Sequence, residues 1–221
     1  VSEQPDVTTT TLDYIDSIIV PGDVFAKAAN EYWALLCLRD GLRFLYNQVA
    51  QCDAEGQRRL NAVGKSSCTV AGNFPALRGI PQGLITCAFH WYAVSACQYV
   101  RTIGAIAYLN DNSRPKPTEY ARSVIPEVVS FRDKVAAHFA WTTKHQEDND
   151  AERMASRLPP LVFVNDSFHV GSMNVTTRCG GKRTTSDAIQ PWSISEVHRR
   201  LCARYWPEFR QPSNENVHGQ G

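Results

Sequence analysis

At Pro159-Pro160 the hydrophobic period of this 221-residue chain changes from helical to alternating, and no other feature limits its fold as much. Before that point apolar residues recur at three-and-four spacing, the period of helices that bury one face. After it, Leu161-Val162-Phe163-Val164, Phe168 to Thr177 and Thr184 to Ile189 read as three strands, with turns at Asn165-Asp166 and Gly180-Gly181. The fold class that follows is mainly α (α+β): an antiparallel helical bundle, then a small antiparallel β-meander and a closing C-terminal helix. Residues 1–207 are expected to form a single domain, with the bundle core over 23–142, the meander over 159–190 and the closing helix over 193–206. The meander is too small to stand alone and is expected to pack on the bundle.

The helical part divides at its punctuation. Residues 1–9 read as a loose arm, and the capping-box spacing Thr10-Thr11-Leu12-Asp13 opens a short helix that Pro21-Gly22 ends after about Ile19. Asp23 caps a long amphipathic helix to about Gln51, carrying Leu35, Leu42 and Val49. Gly41 inside it suggests a close helix crossing. Residues 53–80 are polar and glycine-rich and predict a long loop with a short helix over 54–63; loops of this length are often functional. Pro81 suits the first turn of a helix to about Asn110. Thr118 and Glu119 open the next one, to about Thr142, and Pro126 either kinks it or splits it. Ser193-Ile194-Ser195-Glu196 is a second capping box, Pro207 ends its helix, and 208–221 reads as a mobile tail.

Composition removes several classes of function. A formal net charge of +1 argues against bulk electrostatic binding of nucleic acid, leaving only a local basic face. Leu84 to Leu109 is the most apolar region, yet His90, Gln98 and Arg101 keep its unbroken run far below the roughly 20 residues that span a bilayer. No membrane partner is expected. The seven cysteines include no C-x-x-C pair, and the odd count cannot close a full disulfide set, so a reducing cytoplasm is the simplest setting. Residues 1–11 lack the basic start and apolar run of a signal peptide, and two glycosylation sequons, at Asn165 and Asn174, carry no meaning without secretion.

Two polar side chains need a reason. Val124, Val128, Phe131, Val135 and His138 step along one helical stripe, and Ile125, Val129, Arg132, Ala136 and Phe139 along the next. Arg132 and His138 therefore point towards packed surface, where an unpaired charge is costly and a guanidinium needs an anion or a polar partner. Arg132 has candidate structural partners in Glu127, Asp133 or a carboxylate from another helix. His138 equally suits a satisfied core histidine at a helix end.

The run Arg132-Asp133-Lys134-Val135-Ala136-Ala137-His138 resembles the arginine-to-histidine signature of the HEPN superfamily of helical nucleotide-binding and RNase domains, with five residues between the pair. The resemblance covers roughly residues 23–145; the meander and final helix have no counterpart in the minimal family fold. It implies a metal-independent RNase without cofactor, acting on RNA as a two-fold homodimer that joins two Arg/His pairs in one cleft. His138 would then move the proton of the attacking 2′-hydroxyl or orient that group. Arg132 would stabilise charge building on the phosphate. Asp133, where family members often carry asparagine or histidine, would orient one of them.

Other motifs resolve more simply. Gly64-Lys65-Ser66 ends like a phosphate-binding loop, but Arg59 stands where the leading glycine is required and no strand precedes it. There is no Gly-x-Ser-x-Gly, and the cysteines lack zinc spacing, so no metal site is expected. His145 with Glu147, Asp148 and Asp150 reads as a solvated acidic loop. Trp91 and Tyr92 beside His90 read as core packing. Arg199, Arg200 and Arg204 on the closing helix, with Arg178, Lys182 and Arg183 on the hairpin, form a candidate nucleic-acid-binding patch, while Tyr205 and Trp206 are expected to dock that helix. Two further possibilities are a non-catalytic interaction or ligand-binding module with a groove between the helices and loop 53–80, and a small-ligand pocket under the meander near Phe168, His169 and Trp192. Strand alternation puts Phe168 and His169 on opposite faces, so only one of them serves the interior.

Overall fold

In the computed structural model the described residues are 29–65, 68–69, 77–136, 161–179 and 182–206. The N-terminal arm, the helix expected before Pro21, the acidic segment after His145 and the tail 208–221 lie outside them, as does His138. The elements in order are α1 (Ala29–Ala62), β1 (Cys68–Thr69), α2 (Gln82–Asn110), α3 (Pro117–Val124), α4 (Pro126–Lys134), β2 (Leu161–Val164), β3 (Ser167–Val170), β4 (Met173–Cys179), β5 (Lys182–Ile189), β6 (Trp192–Ser193) and α5 (Ile194–Tyr205). The chain is mainly helical with a small antiparallel sheet, as the change of period predicts.

α1 runs unbroken to Ala62, so the end expected near Gln51 and the separate helix over 54–63 merge into one 34-residue helix. The reason is local. No proline interrupts it, and Glu55 bridges Arg58 at 2.7 Å and Arg59 at 2.5 Å, three and four residues on. Gly56 does not break the helix. A Cβ there would stand 2.7 Å from Phe163 of β2, so glycine is what lets the sheet approach. Gly41, by contrast, faces open space: a Cβ there would meet nothing within 4 Å, which corrects the expectation of a close crossing. The close crossing lies at Gly104 of α2, where a Cβ would meet the Tyr120 side chain at 2.9 Å and the Pro117 backbone at 3.2 Å. Gly64 ends α1 with a φ of +67°, and Lys65 N–H reaches back to the Leu60 carbonyl at 3.0 Å. This is a helix terminus, the reverse of a phosphate loop feeding a helix.

Pro126 splits its helix. Ile125, at φ −137° and ψ 61°, ends α3 and starts α4. Proline removes the backbone donor and disfavours the helical conformation just before it, so the chain turns at Ile125 while keeping that side chain fully buried. Val128, Val129 and Phe131 of α4 are buried as the two stripes require.

The meander divides in two. The main sheet has the order β1-β2-β3-β6, all antiparallel, and β4-β5 forms a separate hairpin with an irregularity between Asn174 and Thr176. The strand expected over Phe168 to Thr177 breaks at Gly171-Ser172 between β3 and β4. Asn165 (φ 49°) and Asp166 (φ 61°) make the tight left-handed turn of the β2–β3 hairpin. Alternation then sends Phe163 and Phe168 into the core, where their rings meet edge to face at 4.9 Å. Trp192 of β6 packs edge-on against Phe89 of α2 (4.9 Å) and Phe131 of α4 (5.4 Å), so the sheet and bundle share one core. At the far end α5 docks through the fully buried Tyr205 and Trp206, and the Trp206 indole N–H donates to the Tyr99 hydroxyl at 2.9 Å. No described helix is long and apolar enough to cross a membrane, and among the described residues Cys37, Cys52, Cys87 and Cys97 are free thiols.

Candidate functional site

The middle of α1, the β2–β3 hairpin and the start of α5 enclose a cleft of about 900 Å³. α1 contributes Arg43, Tyr46 and Asn47, the hairpin turn Asn165 and Asp166, and the strand Ser167 and His169. Helix α5 closes the other side with Ser195, Glu196, His198, Arg199 and Cys202. Most lining residues carry polar side chains, with Arg43 and Arg199 balanced by Asp166 and Glu196, and the volume falls within the range of small-molecule sites.

Asp53 holds this arrangement together. Its side chain belongs to α1 and is 6 % exposed, yet one carboxylate oxygen accepts the Phe168 backbone N–H at 2.8 Å and the other accepts the Ser195 hydroxyl at 2.7 Å. One residue thus joins helix, strand and closing helix. Burial pushes its pKa up from 3.8 to about 6 even though both hydrogen bonds pull it down. α5 starts in register because the Ser193 hydroxyl accepts the Glu196 N–H at 3.1 Å, as the capping-box spacing predicts.

His198 forms the floor. Its ring stacks on Tyr46 with centroids 4.2 Å apart and 8° between planes, and Nδ1 hydrogen-bonds the Tyr92 hydroxyl at 3.1 Å. Burial, with the positive charge of Arg43 nearby, holds its pKa down at about 4. The ring is neutral at pH 7 and adds a polar edge without adding charge. Ser167 and His169 share the outward face of β3, and Ser167 Oγ lies 3.0 Å from His169 Nε2.

The residues singled out from the sequence are distributed differently. Arg132 of α4 is largely buried and its guanidinium bonds the neighbouring Asp133, which Arg122 of α3 also approaches at 3.8 Å. Of the structural partners open to Arg132, Asp133 is taken; Glu127 instead pairs with Arg200 of α5. His138 falls outside the described residues. Among the candidate nucleic-acid contacts, Arg199 is exposed and lines the cleft, Arg200 faces α4, and Arg204 lies over the rings of Tyr120 and Tyr205 at 5.8 and 5.6 Å. α5 therefore directs its three arginines to three different surroundings. Arg178 and Arg183 stand opposite each other in the β4–β5 register, one pair before Lys182 opposite Cys179. Trp91 is 66 % exposed, contrary to the expectation of core packing, whereas Tyr92 is fully buried. Three-and-four spacing places Trp91 on the stripe of Leu84, Cys87 and Val94, the outward side of α2.

Sequence reasoning missed Asp53, which sits in a polar run of α1. His198 likewise lies on the buried stripe of α5 that Val197, Leu201 and Tyr205 mark. Of the cleft residues, His169 stood out through strand alternation and Arg199 as part of the basic group of α5. No family model, curated protein or solved structure matches the chain.

Proposed function

We propose that the chain is a ligand-binding module whose site is the cleft between α1, the β2–β3 hairpin and α5. The ligand class is a small polar organic molecule carrying an anionic group. The observation that carries this reading is a polar cleft of about 900 Å³ whose three walls are fixed to one another by Asp53. Arg43 and Arg199 supply positive charge, Asn47 and Asn165 supply amide donors and acceptors, and the flat Tyr46–His198 stack gives a rigid base. Walls held this way need little reordering on binding, which favours affinity. Thermal-shift titration with nucleotides, sugar phosphates and dicarboxylates tests it. At least one of these is expected to raise Tm in a saturable way, and Arg199→Ala to weaken that binding by about tenfold or more, the worth of a charged hydrogen bond. A flat response to all three classes, or unchanged affinity in Arg199→Ala, refutes the reading.

A second reading keeps the HEPN resemblance: a metal-independent RNase, acting on RNA as a homodimer. What favours it is unused donor capacity on facing helices. Arg132 of α4 and Arg101 of α2 both act on the buried Cys97 thiol, and the Nε of each is buried with no hydrogen-bond partner among the described residues. Two such groups suit a phosphate. RNA digestion in EDTA decides it: cleavage is expected from the wild type and a loss of about a hundredfold or more from Arg132→Ala and from His138→Ala. Cleavage that persists in both variants, or none in the wild type, removes this reading.

A further inference from the structure

Ser167 and His169 are more than cleft lining in their arrangement. Residues two apart on a strand share a face, so β3 presents both side chains to the cleft while Phe168 between them anchors the strand in the core. Ser167 Oγ is 3.0 Å from His169 Nε2, within reach for proton transfer. The backbone of Val164, which stands opposite Ser167 in the hairpin, also favours the protonated imidazole. In the tautomer with the ring proton on Nδ1, Nε2 is the acceptor for the serine hydroxyl. Glu196 of α5 lies close enough to favour the protonated ring electrostatically. A hydroxyl and an imidazole within proton-transfer distance are therefore held on one hairpin, with a carboxylate of α5 nearby.

We infer that Ser167 is a nucleophile activated by His169, giving the cleft an acyl-transfer activity towards small esters. In the first step Ser167 Oγ bonds to the ester carbonyl carbon and its proton passes to His169 Nε2. Collapse of the adduct breaks the bond to the leaving alcohol, which takes that proton from Nε2. Water then repeats the sequence: His169 accepts its proton, the Oγ–acyl bond breaks, the carboxylic acid leaves and the Ser167 hydroxyl is restored. Amide and guanidinium donors of Asn47, Asn165, Arg43 and Arg199 line the same cleft and can meet the charge that develops on the carbonyl oxygen. Glu196 stabilises the imidazolium that forms between the two proton transfers.

This inference rests on the cleft being a ligand site, and the experiment separates the two. The full chain is treated with a fluorophosphonate probe and, separately, with p-nitrophenyl acetate. A covalent adduct on Ser167 and release of p-nitrophenolate are expected. Ser167→Ala should abolish both, and His169→Gln, which keeps a hydrogen-bonding side chain beside the serine, should slow labelling by about a hundredfold. The labelling rate should also fall on acidification with an inflection below the ordinary histidine range, because burial lowers the His169 pKa; a structural contact would give no such profile. An unmodified Ser167, or labelling equally fast in His169→Gln, overturns the proposal. If ligands still shift the Tm of Ser167→Ala while no adduct forms in the wild type, the binding cleft stands and the acyl-transfer step alone falls.

Discussion

Replacing Asp53 by alanine is expected to lower the stability of the fold by about 3 kcal/mol, a fall in Tm of about 10 °C for a chain of this length. The buried carboxylate satisfies the Phe168 N–H and the Ser195 hydroxyl, and its removal leaves the buried Phe168 N–H without a partner and cuts the link from α1 to the Ser195 hydroxyl at the cleft wall. Asp53→Asn should behave differently. Its amide oxygen can accept the Phe168 N–H and its amide nitrogen can donate to Ser195 once that hydroxyl rotates, so at pH 7 the loss should stay within about 1 kcal/mol. Thermal melts of the two variants check the pair. Equal losses would mean that Asp53 acts by shape or charge alone, and no loss from alanine would mean that the three elements are held elsewhere.

The second large effect is in pH dependence, where Asp53 and His198 act in opposite directions. Asp53 has a higher pKa folded (about 6) than unfolded (about 3.8), so it binds its proton more tightly in the native state. Its contribution to stability is fully present below the unfolded value and is lost as pH rises through about 6. His198 has a lower pKa folded (about 4) than unfolded (about 6.5), so the native state resists its protonation. Its contribution is present above the unfolded value and is lost as pH falls towards about 4. Over this window each amounts to about 2 to 3 kcal/mol, and in the wild type they largely cancel. Single variants expose the slopes. Relative to wild type, His198→Phe should gain about 6 to 10 °C in Tm as pH goes from 7 to 4, on top of a constant loss from the unpaired Tyr92 hydroxyl. Asp53→Asn should lose a similar amount over the same range. Parallel curves for wild type and both variants would refute the assignment of either group.

Neighbouring residues show where the sequence was readable, and Asp53 shows where it was not. Leu35, Leu42 and Val49 reveal α1 because their spacing repeats within a few turns, and Pro126 marks the break at Ile125 because its effect is confined to its own neighbours. Alternation likewise reveals Phe168 as core and His169 as its outward neighbour. Asp53 has no such local signature. Its partners lie 115 and 142 residues further along, and a carboxylate near Gln51 and Glu55 looks like one more solvated helix position. Arg132 was legible as a polar group on a packed stripe, and Asp133 was among the partners considered. Where α5 would send its arginines was not legible, since that depends on the rotation of the helix about its own axis against Glu127 and Tyr120.

The long span closed by Asp53 also sets an order of events during synthesis. Helices α1 and α2 pack against each other and are made before the β2–β3 hairpin and α5. Asp53 has by then no strand and no closing helix to meet, and its carboxylate waits in water until residues 168 and 195 arrive. The cleft is consequently complete only after both the β2–β3 hairpin and α5 have been made. A chain stopped before α5 would lack Ser195, Glu196, His198 and Arg199, one whole wall of the cleft.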